Sequence, residues 1–245
     1  MDDIQRFLDM LADSSNVVFF GGAGVSTESG IPDFRSVDGL YNQKYAYPPE
    51  EMLSHSFFMA HPEEFYRFYR DKLIVRGVQP NVTHIKLAQL EREGRLKAVI
   101  TQNTDGLHQL AGSKNVLELH GSTRRCYCMR CGAEYGEEAI SESEGVPRCS
   151  CGGIIRPDVV LYEEGLSSAV LAAAVRHIRE ADMLIVGGTS LVVYPAAGLI
   201  DYYRGHRLVL INRGATPLDS RANLVLRCSI GSVFEKIDVE AGNEN

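Results

Sequence analysis

Short, nearly unbroken apolar runs recur along the chain, and they constrain its fold more than any other feature. Helix-like patterns separate several of them; one places Val170, Leu171, Ala174, Val175 and Ile178 on a single face. Uninterrupted apolar runs are typical of strands covered on both faces, and their alternation with helices predicts an α/β fold with a doubly wound parallel sheet. The runs are VVFF (17–20), AVIT (98–101), VLEL (116–119), VVLY (159–162), MLIVG (183–187), LVLIN (208–212) and LVLR (224–227).

Two segments interrupt this alternation and predict a smaller inserted lobe. Residues 36–80 are rich in aromatic residues and proline, with a clear helical stretch at 61–73, and residues 124–156 hold a cluster of cysteines. We therefore expect a Rossmann-like domain formed by residues 1–35, 81–123 and 157–245. The small domain would combine a helical insertion (36–80) with a ribbon (124–156), and a length of 245 residues suits two packed lobes with a cleft between them.

Polar side chains follow several of the apolar runs, at the point where each predicted strand ends. Ligands of open α/β sheets bind outside the carboxyl ends of the strands, so this placement predicts one polar site along one sheet edge. The residues are Asn103, Asp105, His120, Thr189, Ser190 and Asn212.

A glycine turn follows the first predicted strand. Gly22-Ala23-Gly24 gives G-x-G, but Thr27 stands where a dinucleotide fingerprint has its third glycine. The turn is either a tight strand-to-helix connection that needs glycine, or a cradle that binds a nucleotide diphosphate through backbone N–H groups and a helix N-terminus. Ser26 and Thr27 would add hydroxyl groups, and Arg35 would pair with phosphate.

Four cysteines have the spacing of a zinc ribbon. Cys128-x2-Cys131 is followed after 17 residues by Cys149-x-Cys151, and four thiolates close a tetrahedral site, which predicts a structural zinc ion. The second pair is one residue tighter than the usual C-x2-C. Cys126 is an alternative ligand on the same strand face, although the C-x2-C-G turn favours Cys128.

The overall charge and the cysteine usage exclude several classes of protein. The chain carries 25 Lys and Arg against 32 Asp and Glu, a net charge of −7, so we expect no direct binding to nucleic acid. The N-terminus has no basic region typical of a secretory signal, and the uncharged stretch 183–200 is broken by glycine and proline. We expect a cytoplasmic protein, not attached to membranes, and a monomer because no long apolar face is left over.

Six motifs in order resemble those of the sirtuin family, the NAD-dependent protein deacylases. They are GAGVSTESGIPDFR (22–35), TQNTDGLH (101–108), LHGS (119–122), the paired cysteines, GTSLVVYPAA (188–197) and IN (211–212). They extend across almost the whole chain, with a length typical of a bacterial or archaeal catalytic core.

The resemblance implies a role for each matching residue. Ala23, Thr27, Phe34 and Arg35 would contact the diphosphate and the nicotinamide ribose, and Gln102 would hold a ribose. Asn103, Thr104 and Asp105 would form the nicotinamide pocket, while Thr189, Ser190, Asn212 and Ile230 would line the adenosine end. His120 would be the general base, a role that suits an imidazole with an unperturbed pKa near ~6.5. Residues 159–163 and 191–194 would clamp the peptide as added strands.

The implied reaction consumes NAD and an acyl-lysine protein or peptide. It yields free lysine, nicotinamide and 2′-O-acyl-ADP-ribose. Two alternatives stay open at this point: transfer of ADP-ribose to protein side chains or hydrolysis of NAD on the same fold, and a non-catalytic NAD or ADP-ribose sensor.

Three departures from the family pattern bear on substrate choice. Thr104 replaces the usual isoleucine of TQNID. Glu163 replaces a usual glycine and adds a carboxylate at the mouth of the acyl-lysine channel. Sirtuins that prefer succinyl or malonyl groups resemble one another in a Tyr-x-x-Arg; here Tyr66 is followed by Tyr69, and Arg70 would point about 100° away around a helix. We therefore expect acetyl and other uncharged acyl groups as substrates.

Overall fold

Six parallel strands form the central sheet of the structure, a computed structural model that describes residues 2–34, 39 and 47–238. The strand order is β3-β2-β1-β7-β8-β9, and every neighbouring pair is parallel. The strands of this sheet are β1 Val17–Gly21, β2 Leu96–Thr101, β3 Val116–Glu118, β7 Met183–Gly187, β8 Leu208–Ile211 and β9 Leu224–Leu226. The predicted doubly wound α/β fold is confirmed.

Helices cover both faces of this sheet, as the apolar runs predict. The helices of the described residues are α1 Asp3–Ala12, α2 Pro49–Met52, α3 His55–Ala60, α4 Pro62–Lys72, α5 Val82–Arg92, α6 Leu107–Leu110, α7 Glu138–Ser141, α8 Ser168–Glu180 and α9 Ile230–Phe234. Phe7, Leu87 and Phe234 from α1, α5 and α9 pack on one face. Ile178 of α8 and Ile200 pack on the other. Burial on both sides explains why these strands have no polar alternation.

A second, smaller sheet forms the core of the ribbon. Its strands are β4 Gly121–Cys128, β5 Glu134–Gly136 and β6 Ile155–Val159, paired antiparallel in the order β5-β4-β6. The aromatic side chains of α3 and α4 pack against this sheet in a third core cluster, together with Cys126 and Ile155. The sheet begins at 121 and ends at 159, so it extends beyond the ribbon boundaries expected at 124 and 156.

Two local predictions are wrong. The run 159–162 is not a strand of the parallel sheet, because Val159 ends β6 of the small sheet and the following residues turn away. Leu161 is buried in the small-lobe core, and Tyr162 is exposed and pairs with Ser54 in an isolated bridge outside the named strands. The glycine turn does not lead into an α-helix: two short 3-10 turns, Ala23–Val25 and Thr27–Ser29, follow it and end at Gly30, whose φ is 91°.

Within the described residues, we find no helix with the length and apolar character needed to cross a membrane.

Candidate functional site

A cleft of about 1040 Å³ lies at the carboxyl ends of β1, β2, β7 and β8, where the small lobe meets the central sheet. It collects every described residue that the sequence assigned to the dinucleotide, from all parts of the chain. These residues are Ala23, Thr27, Phe34, Gln102, Asn103, Thr104, Asp105, His120, Thr189, Ser190, Asn212 and Ile230. Arg35 lies outside the described residues. The cleft is therefore the candidate active site.

The glycine turn packs directly against the turn that follows β7. A Cβ on Gly24 would lie 2.8 Å from the Cα of Gly188, and a Cβ on Gly22 would lie 2.8 Å from the Cβ of Thr189. The N–H of Gly24 also donates to the carbonyl of Gly188 at 2.8 Å. Both glycines are thus required by close approach to Gly188 and Thr189, and this approach places the turn beside Thr189 in the cleft.

Ser26 joins Asn103 and Asp105 into one hydrogen-bonded group. Its hydroxyl donates to Oδ2 of Asp105 at 2.7 Å and accepts from Nδ2 of Asn103 at 3.0 Å. The other carboxylate oxygen of Asp105 accepts from the N–H of Leu107 at 2.9 Å, which starts α6. Since Ser26 is only 1% exposed, it holds two cleft side chains in fixed orientations.

Sequence reasoning missed this function of Ser26, which it took only as an additional hydroxyl in the turn. It also missed Asn81, whose Nδ2 donates to the carbonyl of Val25 at 2.8 Å and to Oγ of Ser29 at 3.0 Å. Asparagine before an apolar helical pattern signals an N-cap. No residue near Asn81 in the sequence indicates that its side chain also supports the glycine turn, whose Val25 and Ser29 precede it by 56 and 52 residues.

His120 follows β3 with one residue, Leu119, between them, and it is half-buried in the cleft wall. Its Nδ1 lies 2.9 Å from the carbonyl oxygen of Gln102, which can only accept, so Nδ1 carries the proton and Nε2 is left with its lone pair. Burial lowers the pKa of His120, although the bond to Gln102 acts in the opposite direction. A lowered pKa keeps the imidazole neutral at pH 7, the state that a general base requires.

The far end of the cleft is formed by the ends of β7 and β8. Gln102 donates from Nε2 to Oγ1 of Thr189 at 3.0 Å, and the same oxygen accepts from the N–H of Leu191. Asn212 donates from Nδ2 to the carbonyl of Gly214 at 2.9 Å. Amide and hydroxyl groups in this arrangement suit the ribose hydroxyls of a dinucleotide, because they both donate and accept.

The four predicted ligand cysteines converge at one point of the ribbon. Cys128, Cys131, Cys149 and Cys151 have their sulfur atoms within 4.8 Å of one another. The sulfurs of Cys128 and Cys151 are 3.5 Å apart, and those of Cys131 and Cys149 are 3.6 Å apart. A tetrahedral zinc ion with Zn–S bonds of about 2.3 Å needs sulfurs about 3.8 Å apart, so the donor set fits zinc and leaves no position open.

Cys126 is not part of this cluster. It is 2% exposed and packs in the small-lobe core. Burial, aided by the charge of Glu138, raises the pKa of its thiol to about 12. The cluster of four sulfurs includes Cys128 and not Cys126, so the geometry agrees with the choice of Cys128.

Two further histidines, His84 and His108, are buried away from solvent. His84 accepts from the N–H of Asn81 at Nδ1 and completes a capping box at the start of α5. Its ring centroid lies 4.7 Å from that of His108. Burial lowers the pKa of His84 to about 4 and that of His108 well below its usual value, so both rings are neutral.

The tyrosine pair on α4 belongs to the small-lobe core. Tyr66 is fully buried and donates to the carbonyl of Ile155 at 2.6 Å, while Tyr69 reaches the cleft wall. Arg70 faces the other way: it donates to Ile140, Ser143 and Gly145 of the neighbouring loop. Arg70 is therefore not available to a carboxylate in the cleft.

Fold and site together define a two-lobed enzyme class, in which a Rossmann-like sheet carries a polar dinucleotide cleft and the second lobe is fastened by a tetrathiolate zinc site. Residues 22–195 match the Sir2 family, and the chain belongs to this family. It is 58% identical to an NAD-dependent protein deacetylase of Clostridium acetobutylicum, over 97% of this chain and 98% of that protein. It is 59% identical to one of Clostridium perfringens, over 97% and 99%.

Solved structures of Sir2 proteins are also similar to this chain. A structure of Sir2 with a p53 peptide and NAD+ superposes with a TM-score of 0.85 at 42% identity, covering 96% of both chains. Sir2 bound to an acetylated peptide gives a TM-score of 0.86 at 42% identity and the same coverage.

Proposed function

We infer that the protein is an NAD-dependent protein lysine deacetylase. The observation that carries this conclusion is the position of His120. Its free Nε2 belongs to the same cleft as the Ser26-linked pair Asn103 and Asp105, and relatives with more than half of their residues in common are named NAD-dependent protein deacetylases.

NAD, when bound, supplies the ADP-ribosyl group that accepts the acyl group and releases nicotinamide. We propose that Asp105 recognises the nicotinamide carboxamide and that Asn103 and Thr104 complete this pocket. Ser26 is a positioning residue, since it holds Asn103 and Asp105. The carboxylate of Asp105 accepts hydrogen bonds from two fixed donors, the Ser26 hydroxyl and the Leu107 N–H, and therefore has little freedom to rotate. This lowers the entropic cost of binding the nicotinamide carboxamide.

For the remainder of the dinucleotide, we propose two further groups of contacts. Ala23, Thr27, Phe34 and Arg35 bind the diphosphate and the adjoining ribose. Gln102 binds the hydroxyl groups of a ribose. The adenosine end of the dinucleotide is bound by Thr189, Ser190, Asn212 and Ile230.

Nε2 of His120 accepts a proton from a ribose hydroxyl, while the Nδ1–H of the same ring stays hydrogen-bonded to the carbonyl of Gln102. The bond fixes the tautomer and supports the imidazolium that forms. The overall reaction consumes acyl-lysine, NAD and one water, and it yields free lysine, nicotinamide and 2′-O-acyl-ADP-ribose. The bond between nicotinamide and ribose and the amide bond of acyl-lysine break, and the acyl group ends on the 2′-oxygen of the ribose.

The peptide is proposed to lie between residues 159–163 and 191–194, where both segments border the cleft through Val159 to Glu163 and Val193 to Tyr194. Acyl-lysine proteins are the substrates. The acyl group is uncharged, because Arg70 is bonded to the loop at 140–145 and brings no cation to the cleft.

Several coarser properties follow as proposals. We propose a division into a Rossmann-like domain (1–35, 81–123 and 157–245) and a small domain (36–80 and 124–156). The protein acts as a monomer in the cytoplasm, where reducing conditions keep the four ligand thiols available to zinc. It does not bind nucleic acid, since Arg124 and Arg125 beside the ribbon are paired with carboxylates of this chain.

The test is incubation with an acetyl-lysine peptide, with and without NAD, followed by mass spectrometry of peptide and nicotinamide. The proposal predicts loss of the acetyl mass only with NAD, and one nicotinamide for each lysine freed. Nicotinamide release without deacetylation would favour the transferase or NAD hydrolase instead. Binding of NAD with no nicotinamide released would favour a sensor.

A further inference from the structure

The loop of residues 160–164, which follows β6, is tied to both sides of the cleft through its backbone. The N–H of Val160 donates to the carbonyl of His120 at 3.0 Å. The N–H of Tyr162 donates to Leu53, and the N–H of His55 donates to the carbonyl of Tyr162, both at 3.0 Å. The loop therefore connects the candidate base to the start of α3.

Glu163 adds a side-chain link to α3. Its Oε2 accepts from the backbone N–H of Ser56 at 2.9 Å and from the Ser56 hydroxyl at 2.6 Å. Glu163 has a φ of 76°, in the left-handed region that favours glycine, so its backbone is strained. Since glycine is usual at this position in the family that the sequence resembles, the strained glutamate needs a reason, and the bonds to Ser56 supply one.

The neighbouring carboxylate, Glu164, anchors the loop mainly to the small-lobe core. It accepts from both terminal nitrogens of Arg156, at 2.8 and 3.0 Å, from Nδ1 of His55 at 2.8 Å and from the N–H of Leu161 at 3.0 Å. Arg156 is nearly buried and lies over the ring of Phe58. Glu164 thus fixes the loop to the small-lobe core and to His55 at the start of α3, and Glu163 adds a separate link to α3 one residue further on, at Ser56.

We propose that Glu163 is a positioning residue for the peptide substrate: through Ser56 it holds the 160–164 loop in the conformation that receives the peptide backbone. A loop ordered in advance does not lose its conformational freedom when an extended peptide pairs with it, so the link strengthens peptide binding. The Ser56 hydroxyl and N–H lower the pKa of the Glu163 carboxyl, so the accepting charge is present at neutral pH. This proposal rests on the proposed function, because it uses the same cleft and peptide segments.

The test is a double-mutant cycle with Glu163→Gly and Ser56→Ala. Glu163→Gly removes the side chain and the strain together, while Ser56→Ala removes one of its donors. We expect Glu163→Gly to raise the KM for the acetyl-peptide by about three- to tenfold, the weight of one to two net hydrogen bonds. The kcat and the KM for NAD should stay within about twofold, because the NAD contacts are proposed elsewhere. Ser56→Ala should raise the peptide KM in the native background and have no further effect beside Glu163→Gly.

Glu144→Gln is the matched control, since Glu144 is an exposed carboxylate of the small lobe outside the cleft. It should leave all parameters unchanged. An unchanged peptide KM in Glu163→Gly would overturn the proposal, as would equal effects of Ser56→Ala in both backgrounds or a parallel rise in the KM for NAD.

Calorimetric binding of the acetyl-peptide separates this proposal from the proposed function, because it needs no turnover. Weaker peptide binding by Glu163→Gly would support the positioning role even for a wild type that deacetylates nothing, whereas unchanged binding would refute it.

Discussion

Replacing Gly24 with alanine should disrupt the contact on which the dinucleotide cleft is built. The added Cβ would lie 2.8 Å from the Cα of Gly188 and 2.9 Å from its carbonyl oxygen. Both are backbone atoms. Gly188 has a φ of 60°, in the left-handed region, so few other backbone conformations are open to it. No side-chain rotation relieves this overlap, so the two turns must separate.

The size of the effect follows from these distances. Ordinary van der Waals contact begins at 3.4 Å, so the turns must part by about 0.6 Å (3.4 − 2.8) against their own hydrogen bond of 2.8 Å. Overpacking of a close contact typically costs about 1–3 kcal/mol. For a chain of this size that corresponds to a fall in Tm of about 2–12 °C. A displaced diphosphate cradle should also weaken NAD binding by about tenfold or more, or 1.4 kcal/mol.

The assay combines thermal unfolding with calorimetric titration of NAD. Gly165→Ala is the control, because no atom lies within 4 Å of its added Cβ. The control should keep its Tm within about 1 °C, a typical result for an unstrained surface change, and its Kd for NAD. If Gly24→Ala bound NAD as well as the control and unfolded at the same temperature, the close approach to Gly188 would not be what shapes this cleft.

Three further predictions concern the base, the metal and the acyl group. The lowered pKa of His120 places the rise of kcat/KM below pH 6.5: activity is lost as the pH falls through this pKa and the ring is protonated, and a pH profile with its midpoint at or above 6.5 would disagree. Removing zinc with a chelator should unfold the small lobe and abolish peptide binding, and cobalt in place of zinc should give the absorption spectrum of a tetrahedral thiolate site; a stable, active metal-free protein would contradict this. Arg70→Ala should lower the free energy of unfolding by about 1–3 kcal/mol, since it removes three hydrogen bonds that Arg70 donates. It should leave the ratio of deacetylation to desuccinylation unchanged. A change in this ratio, measured on acetyl and succinyl peptides, would show that Arg70 does determine specificity.

The sequence predicted the sheet because its signal is local. A strand buried on both faces must be apolar throughout, so β1, β7 and β8 are visible without knowledge of their neighbours. The same signal failed at 159–162, where only Leu161 is buried, against the small-lobe core, and Tyr162 is exposed. An apolar run of four residues therefore does not by itself identify a strand of the central sheet.

In the candidate site too, local sequence patterns could be interpreted, whereas contacts between distant residues could not. The thiols of the ribbon have a spacing that defines their geometry, so the four ligands could be named from the sequence. The bonds of Ser26 reach residues 77 and 79 positions away, and nothing in its neighbourhood indicates that they exist. Glu163 was visible only as a departure from a family pattern; the partner that explains it, Ser56, lies 107 residues away. Arg35 lies outside the described residues, so its contact with phosphate stays a prediction.

If His120 is the base that allows the acyl group to pass to ADP-ribose, the products of the reaction should depend on it. Wild type, His120→Ala and the control His206→Ala would be incubated with NAD and an acetyl-lysine peptide, and acetyl-ADP-ribose would be counted against deacetylated lysine. His206 is exposed and lies outside the cleft. We expect one acetyl-ADP-ribose per deacetylated lysine from wild type and His206→Ala. In His120→Ala the rate of product formation should fall by about 10²–10⁴-fold, the usual contribution of a general base. Product formation by His120→Ala at the wild-type rate, with NAD still bound, would contradict it.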